Sequence, residues 1–354
     1  MRKFMAIFLA VLMTGSLVAC GGSSGGSKTP SNSGATSKED FTPVKLVFGN
    51  QHPADSFMSA LDQQICDQIA EATEGRVTVE LHTDSSLGDY LSVYEEVMVG
   101  SIAMAHTTVP ETYGAIMSAS MAPYLGTDFE TLKHAYRKDG YLYSAVEEAL
   151  NGVGVHSFGF FCEGFNGIGT KVAVNQPAAI GVDKGVVVRV PAMDVHALGP
   201  LVLGYRTSTL SYSDTYTAIQ TGVVDGWHSG PPNLNYLYFR DVVNYFYYYM
   251  MSQEATQIYI NKDIFESLLP EDQESITEII DNALASTYEL AAADDQKYMD
   301  LMAKQGIEVT TFTPEEIQSF ADAVRTDVWP KLAQTMGEDF WKNFAADLGV
   351  EINF

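Results

Sequence analysis

Residues 44–107 read VKLVFGNQHPADSFMSALDQQICDQIAEATEGRVTVELHTDSSLGDYLSVYEEVMVGSIAMAHT, and the changing period along them decides the fold class. Val44 to Gly49 is a short apolar run of strand type. Phe57 to Glu74 then puts Met58, Leu61, Ile65 and Ile69 on one helical face, and Gly75 supplies a left-handed stop. Arg76 to His82 alternates as a second strand. A turn at Ser86-Leu87-Gly88 leads into a helix through Val99, and Ile102 to Thr107 reads as a third strand. This order predicts an α/β fold whose first lobe is built of βαβαβ units.

Toward the N-terminus the pattern is of another kind. Arg2 and Lys3 precede an apolar run from Phe4 to Met13, ten residues long, followed by Leu17-Val18-Ala19-Cys20. The run is short of the roughly 18–20 residues that a membrane span requires, so residues 1–19 read as a secretory signal peptide. The Leu-Val-Ala-Cys ending resembles the bacterial lipobox, which implies a lipid on Cys20; the alternative is an ordinary signal peptide with a chance cysteine. The stretch GGSSGGSKTPSNSGATSKED behind it has almost no large apolar side chains and cannot bury enough surface to fold. Residues 20–43 are therefore expected to be a lipidated cysteine and a flexible tether. The expected location is extracytoplasmic, lipid-anchored to the cell membrane.

Toward the C-terminus, Lys184 to Val190 (KGVVVRV) is a strand with one arginine among valines. Glu271 to Gln305 is a helical pattern of about 35 residues with Pro270 at its start and Gly306 after it. Ile276, Ile279, Ala283, Leu290, Leu301 and Met302 fall near one stripe of it. At 1.5 Å per residue such a helix spans on the order of 50 Å, more than one small lobe, so it is expected to cross two. Two shorter helices broken near Asp294-Asp295 are the alternative. Tyr245 to Tyr249 (YFYYY) reads as packing near the junction of the lobes.

A net charge of −25 and a pI near 4.4 argue against a nucleic-acid partner. Cys66 and Cys162 read as buried free thiols, although the compartment permits a disulfide. Outside the Gly/Ser-rich tether, where residues 21–26 match it by composition, there is no G-x-S-x-G, and there is no P-loop, H-E-x-x-H or C-x-x-C motif. The seven histidines are scattered without a close metal-ligand pair, and no metal, cofactor or catalytic residue is expected.

Three stretches carry a resemblance that covers nearly all of residues 44–354. Gly75 to Ala105 resembles a family block of the form tGGri…LG…v..G..dm. Lys184 to Pro191 (KGVVVRVP) is similar to kGlkiRvp, and Tyr212 to Gly226 (YSDTYTAIQTGVVDG) to e.Y.alqtGvvDG. Gln-Thr-Gly-Val-Val-Asp-Gly is the most specific of these, and NKDIFESLLPEDQ leading into the long helix also fits. The chain thus resembles the solute-binding proteins of TRAP transporters, the DctP type. The resemblance implies a monomeric receptor with two α/β lobes and a long helix crossing both, like periplasmic binding proteins. It would close over a small organic acid and pass it to TRAP membrane permease subunits. The expected lobes are 44–163 with 253–291, and 164–252 with 292–354. A ligand-sensing lipoprotein serving a signalling partner, or an extracytoplasmic hydrolase, are the alternatives.

Arg189 leads the candidate binding residues. A guanidinium among valines needs an anionic partner, and spacing alone leaves open a protein carboxylate or a ligand. The resemblance places it on the family's ligand-clamping arginine. Gln51, Asp89, Thr107, Tyr212 and Ser229 follow by motif position as cleft residues. Two departures from the family pattern bear on the ligand. Asn166 stands where many relatives carry a second arginine, which weakens the case for a dianion. Trp227, in Gly226-Trp227-His228-Ser229, brings a flat apolar face expected toward the cleft. Phe160, Phe161 and Phe165 are expected in the core. The expected ligand is a monocarboxylate with an apolar or aromatic body.

Overall fold

The computed structural model describes residues 41–350. The signal peptide, Cys20 and most of the tether lie outside the described residues.

The opening stretch forms β1 (Val44–Asn50), α1 (Phe57–Ala72), β2 (Val77–His82), α2 (Tyr90–Met98) and β3 (Met104–Thr107). The Ser56 side chain caps α1 by accepting from the Ser59 N–H at 3.2 Å. Met58, Leu61, Ile65 and Ile69 are all buried, as the periodicity requires. At the far end Gly75, at φ +78°, turns its N–H back to the Ala70 carbonyl at 2.8 Å. β1 pairs in parallel with both β2 and β3.

The middle of the chain gives α3 (Phe129–Ala135), α4 (Tyr141–Asn151), β4 (Val155–Phe165), β5 (Gly167–Thr170) and β6 (Val187–Val190). Next come α5 (Asp194–Leu203), β7 (Arg206–Thr209), α6 (Thr215–Thr221), β8 (Gly226–Gly230), α7 (Pro232–Phe239) and β9 (Tyr245–Tyr248). The last elements are β10 (Gln253–Asn261), α8 (Lys262–Glu266), α9 (Pro270–Gln305), β11 (Glu308–Thr311), α10 (Pro314–Met336) and α11 (Glu338–Leu348).

The strands form two sheets, ordered β2-β1-β3-β10-β4 and β11-β9-β5-β8-β6-β7. The chain passes from the first sheet to the second between β4 and β5, with Asn166 alone between them, and returns between β9 and β10. At this double crossing the Asn166 N–H donates to the Ser252 carbonyl at 2.7 Å, and its Nδ2 to the Ser252 hydroxyl at 3.0 Å.

The long helix α9 is unbroken over 36 residues, so the two-helix alternative is not observed. Near its start Asp272 takes two hydrogen bonds from Arg76, at 2.7 and 3.1 Å, beside the first sheet. Further along, Asp295 accepts from the Phe165 N–H at 3.1 Å and the Tyr248 hydroxyl at 2.5 Å, tying the helix to both crossings. Gly164 lies beneath that carboxylate at φ +130°, and a Cβ there would sit 2.3 Å from Asp295 Oδ1. The buried stripe corrects the expected one. It runs Ile276, Ile280, Ala283, Thr287, Ala291, Asp295, Tyr298 and Met302, while Leu290 is exposed. Steps of three and four track the 3.6 period past polar positions, which an apolar count skips.

Phe160, Phe161 and Phe165 are fully buried, and Cys66 and Cys162 are free, buried thiols. Among the described residues no helix is long and apolar enough to cross a membrane.

Candidate ligand-binding site

The carboxyl ends of the parallel strands of both sheets open on one cleft, where open α/β sheets hold their ligands. It contains about 560 Å³ of atom-free space, part of it open to solvent. From the first sheet come Gln51 and His52 after β1, Ser85 after β2, Asp89 and Tyr90 at the start of α2, Thr108 after β3, and Glu254 on β10. The second sheet contributes Arg189 and Pro191 at the end of β6, Met193 and His196 at α5, Tyr212 after β7, Ser229 on β8, and Leu234 on α7.

Arg189 is 2% exposed. Its Nε–H donates to the Leu210 carbonyl at 2.9 Å, and the guanidinium carbon lies 5.8 Å from the centre of the Tyr212 ring. Among the described residues no carboxylate comes within ion-pairing distance of it. Burial lowers its proton affinity from the ordinary value, but a guanidinium stays protonated at neutral pH. A buried cation without a protein partner costs several kcal/mol, which an incoming anion offsets.

The opposite wall is a relay. Gln51 Nε2 donates to the Thr108 hydroxyl at 3.1 Å, and the Thr108 N–H returns to Gln51 Oε1 at 2.9 Å. The same hydroxyl donates to Glu254 Oε1 at 2.9 Å, while Glu254 Oε2 makes no hydrogen bond of good geometry among the described residues. The pairing of β10 with β4 shifts register between Gln253 and Ala255, leaving Glu254 at an irregularity. Bulges of this kind re-aim a side chain beside a site. Burial, with the nearby Glu163 carboxylate, pushes Glu254 up to about 8. Glu163 itself is fully buried and holds His52 Nδ1 at 3.1 Å. Burial opposes a charge on His52, yet Glu163 and two further carboxylates outweigh it and hold the imidazole above its ordinary value.

Beneath lies His106, whose proton affinity burial depresses, so its neutral ring donates from Nδ1 to Asp62 at 2.8 Å and accepts at Nε2 from Thr256 at 3.1 Å. On the other side burial holds His196 and His228 neutral, His228 at about 4. Ser229 sits at φ +89°, a strained conformation for a residue with a side chain.

Of the residues singled out from the sequence, Arg189, Gln51, Asp89, Tyr212 and Ser229 line the cleft, Asp89 also capping α2 through the Leu91 N–H at 3.0 Å. Three do not. Thr107 turns to the Tyr259 hydroxyl at 2.6 Å, and Thr108 reaches the cleft instead, because successive residues of an extended chain face opposite ways. Trp227 is 1% exposed. Its indole N–H donates to Asn235 at 2.9 Å, its ring lies 4.3 Å from that of Phe239, and it backs Tyr212 rather than facing the cavity. Asn166 uses its Nδ2 to clip the two crossings together, and its Oδ1 is buried without a partner among the described residues. Sequence reasoning missed His52, Tyr90, Thr108 and Glu254. A signal for the last was present, since Gln253, Glu254, Thr256 and Gln257 make the otherwise apolar strand unusually polar.

Two sheets whose strand ends meet at a cleft holding an unpaired, buried guanidinium define a two-lobed receptor for a small solute. The chain belongs to the bacterial extracellular solute-binding proteins, family 7, whose pattern matches residues 48–335. It is 24% identical over 299 residues to the 2,3-diketo-L-gulonate-binding periplasmic protein YiaO of Escherichia coli, covering 83% of this chain and 88% of that one. A TRAP periplasmic solute-binding protein from Desulfovibrio salexigens, with bound orotic acid, superposes with a TM-score of 0.78 at 16% identity, over 86% of this chain and 98% of that one. One from Pseudomonas putida F1, with bound D-glucuronate, gives 0.75 at 17% identity, over 88% and 98%. The expected TRAP-type receptor with a mixed α/β, two-lobe fold is borne out, and the matched family and similar structures are receptors, not enzymes.

Proposed function

We propose that this receptor captures a small organic acid with one carboxylate and an apolar or aromatic body, closing its lobes over it for delivery to TRAP permease subunits. The observation that carries this is Arg189, whose planar donor fork is buried, charged and without a carboxylate of the protein. Tyr90, Tyr212, Pro191, Met193 and Leu234 offer rings and apolar surface for the body of the ligand. The uronate and orotate named for the two similar structures are also acids. A second ligand carboxylate finds no second arginine among the cleft-lining residues, and Asn166, which stands in that place, donates its Nδ2 to Ser252 at the crossing.

The lobes on this reading are residues 44–163 with 253–291, and 164–252 with 292–354. Arg189 from one holds the carboxylate while Gln51 and Thr108 reach from the other. The receptor works as a monomer, held at the membrane through a lipid on Cys20. Calorimetry tests the ligand class directly. Aromatic or branched monocarboxylates are expected to bind more tightly than succinate or malate, and the reverse order sinks the reading. For the anchor, Cys20→Ser is expected to release the protein from membranes into the soluble fraction.

A further inference from the structure

We propose that the ligand is a zwitterion, carrying besides its carboxylate a cationic nitrogen that Glu254 recognises from the wall across from Arg189; this rests on the carboxylate reading of Arg189 given above. Glu254 is 5% exposed and lines the same cleft from the other sheet. One of its oxygens is fixed by the Thr108 hydroxyl; the other, Oε2, makes no hydrogen bond of good geometry among the described residues, although the nearby Asn166 side chain favours the carboxylate. The irregularity in β10 that holds the side chain there is a local cost a purely apolar wall would not need.

The charges around Glu254 decide what it can receive. Glu163 is engaged with His52 at 3.1 Å and raises the proton affinity of that imidazole. Asp89 lines the cleft as well. Among the described residues the basic side chains lining this cleft are His52, committed to Glu163, His196, which burial holds neutral, and Arg189, which the ligand carboxylate engages. Asp89 gives a second ligand anion like charge to meet, whereas an ammonium or iminium-type nitrogen finds a carboxylate partner once Glu254 has given up its proton. Tyr90 and Tyr212 add ring faces that favour a cation. In the empty cleft burial keeps Glu254 protonated at neutral pH, with its value at about 8, so binding a cationic nitrogen moves that proton to solvent.

The test uses matched ring acids: cyclohexanecarboxylate against pipecolate, nipecotate and isonipecotate, which replace one ring CH2 by NH2+ at successive positions. Each is titrated calorimetrically at pH 7, in two buffers of different ionisation heat, into wild type, Glu254→Gln and Arg189→Ala. The expected result is that at least one amine-bearing ring binds ten-fold or more tighter than cyclohexanecarboxylate to wild type and releases protons. Glu254→Gln then removes most of that preference while still binding cyclohexanecarboxylate. Tighter binding of cyclohexanecarboxylate to wild type, or an amine preference unchanged in Glu254→Gln, overturns the zwitterion. If Arg189→Ala abolishes cyclohexanecarboxylate binding in that case, the carboxylate reading survives alone. Wild-type binding of none of the four overturns the zwitterion, and equal binding to Arg189→Ala overturns the carboxylate reading as well.

Discussion

Arg189 is held by one backbone oxygen and one aromatic ring, an unusual economy for a buried guanidinium. Without a ligand its burial is a cost, so the variant Arg189→Met should leave the melting temperature of the empty protein unchanged or raised. The same change is expected to weaken acid binding by about 2–5 kcal/mol. A clear loss of stability in the empty variant, measured by thermal melting, would show that the guanidinium is structural. Glu254 makes an opposite kind of demand. Its value rises from 4.5 to about 8 in the fold, so the folded state favours the protonated carboxyl. That contribution is fully present below about pH 4.5 and is lost as pH rises through about 8. Glu254→Gln is therefore expected to gain stability over wild type between pH 5 and pH 8, by up to roughly 4 kcal/mol. Urea denaturation at the two pH values checks this, and an identical difference at both contradicts it.

At the scale of elements, two hydrogen bonds link segments that follow strands of the first sheet to helices that follow strands of the second. The Tyr238 hydroxyl on α7 donates to Asp84 Oδ1 at 3.2 Å, and the Asp194 N–H at the start of α5 donates to Glu111 Oε1 at 3.2 Å. Tyr238→Phe removes the first while keeping the ring, and is expected to weaken ligand binding by about 0.5–1.5 kcal/mol. An affinity equal to wild type in titration would place Tyr238 outside the closing contacts. The crossings themselves depend on Asp295. Asp295→Ala leaves the Phe165 N–H and the Tyr248 hydroxyl without their acceptor, at about 2–4 kcal/mol in equilibrium unfolding. Much of this element level was legible beforehand. The alternation of residues 44–107 gives β1 to β3 and the helices between them, because each period depends only on neighbours a few positions apart. The insertion of β10 between β3 and β4 was not, since it joins residues some 150 positions apart in the chain. The direction of single side chains was not either. Thr107 and Thr108 are equivalent as sequence, and the end of a strand settles which one meets the cleft. Glu254 is turned by a register shift that no periodicity reveals. Trp227 looked like a cleft residue for its size and donor group, but the indole N–H found Asn235 eight positions on.

At the scale of the molecule, the long helix α9 and the two crossings are what join the sheets, through Asp295 and Asn166. Closure then follows if a ligand makes more contacts in the closed state than in the open one. A ligand with a carboxylate at Arg189 and a body reaching Gln51 and Thr108 meets that condition, since the contacts come from both sheets. Scattering from the protein in solution is expected to show a smaller radius of gyration with saturating ligand, and no contraction in Arg189→Ala. Because Arg189 is buried, its pairing with a ligand carboxylate is little screened, and the affinity is expected to depend only weakly on ionic strength.

The most direct measurement is the calorimetric affinity of wild type and Arg189→Ala for the tightest acid found among aromatic and branched monocarboxylates. A loss of about 2–5 kcal/mol is expected in the variant, with its fold intact by circular dichroism. A loss of much less than about 1 kcal/mol, or a ligand that carries no carboxylate, contradicts the carboxylate reading of Arg189.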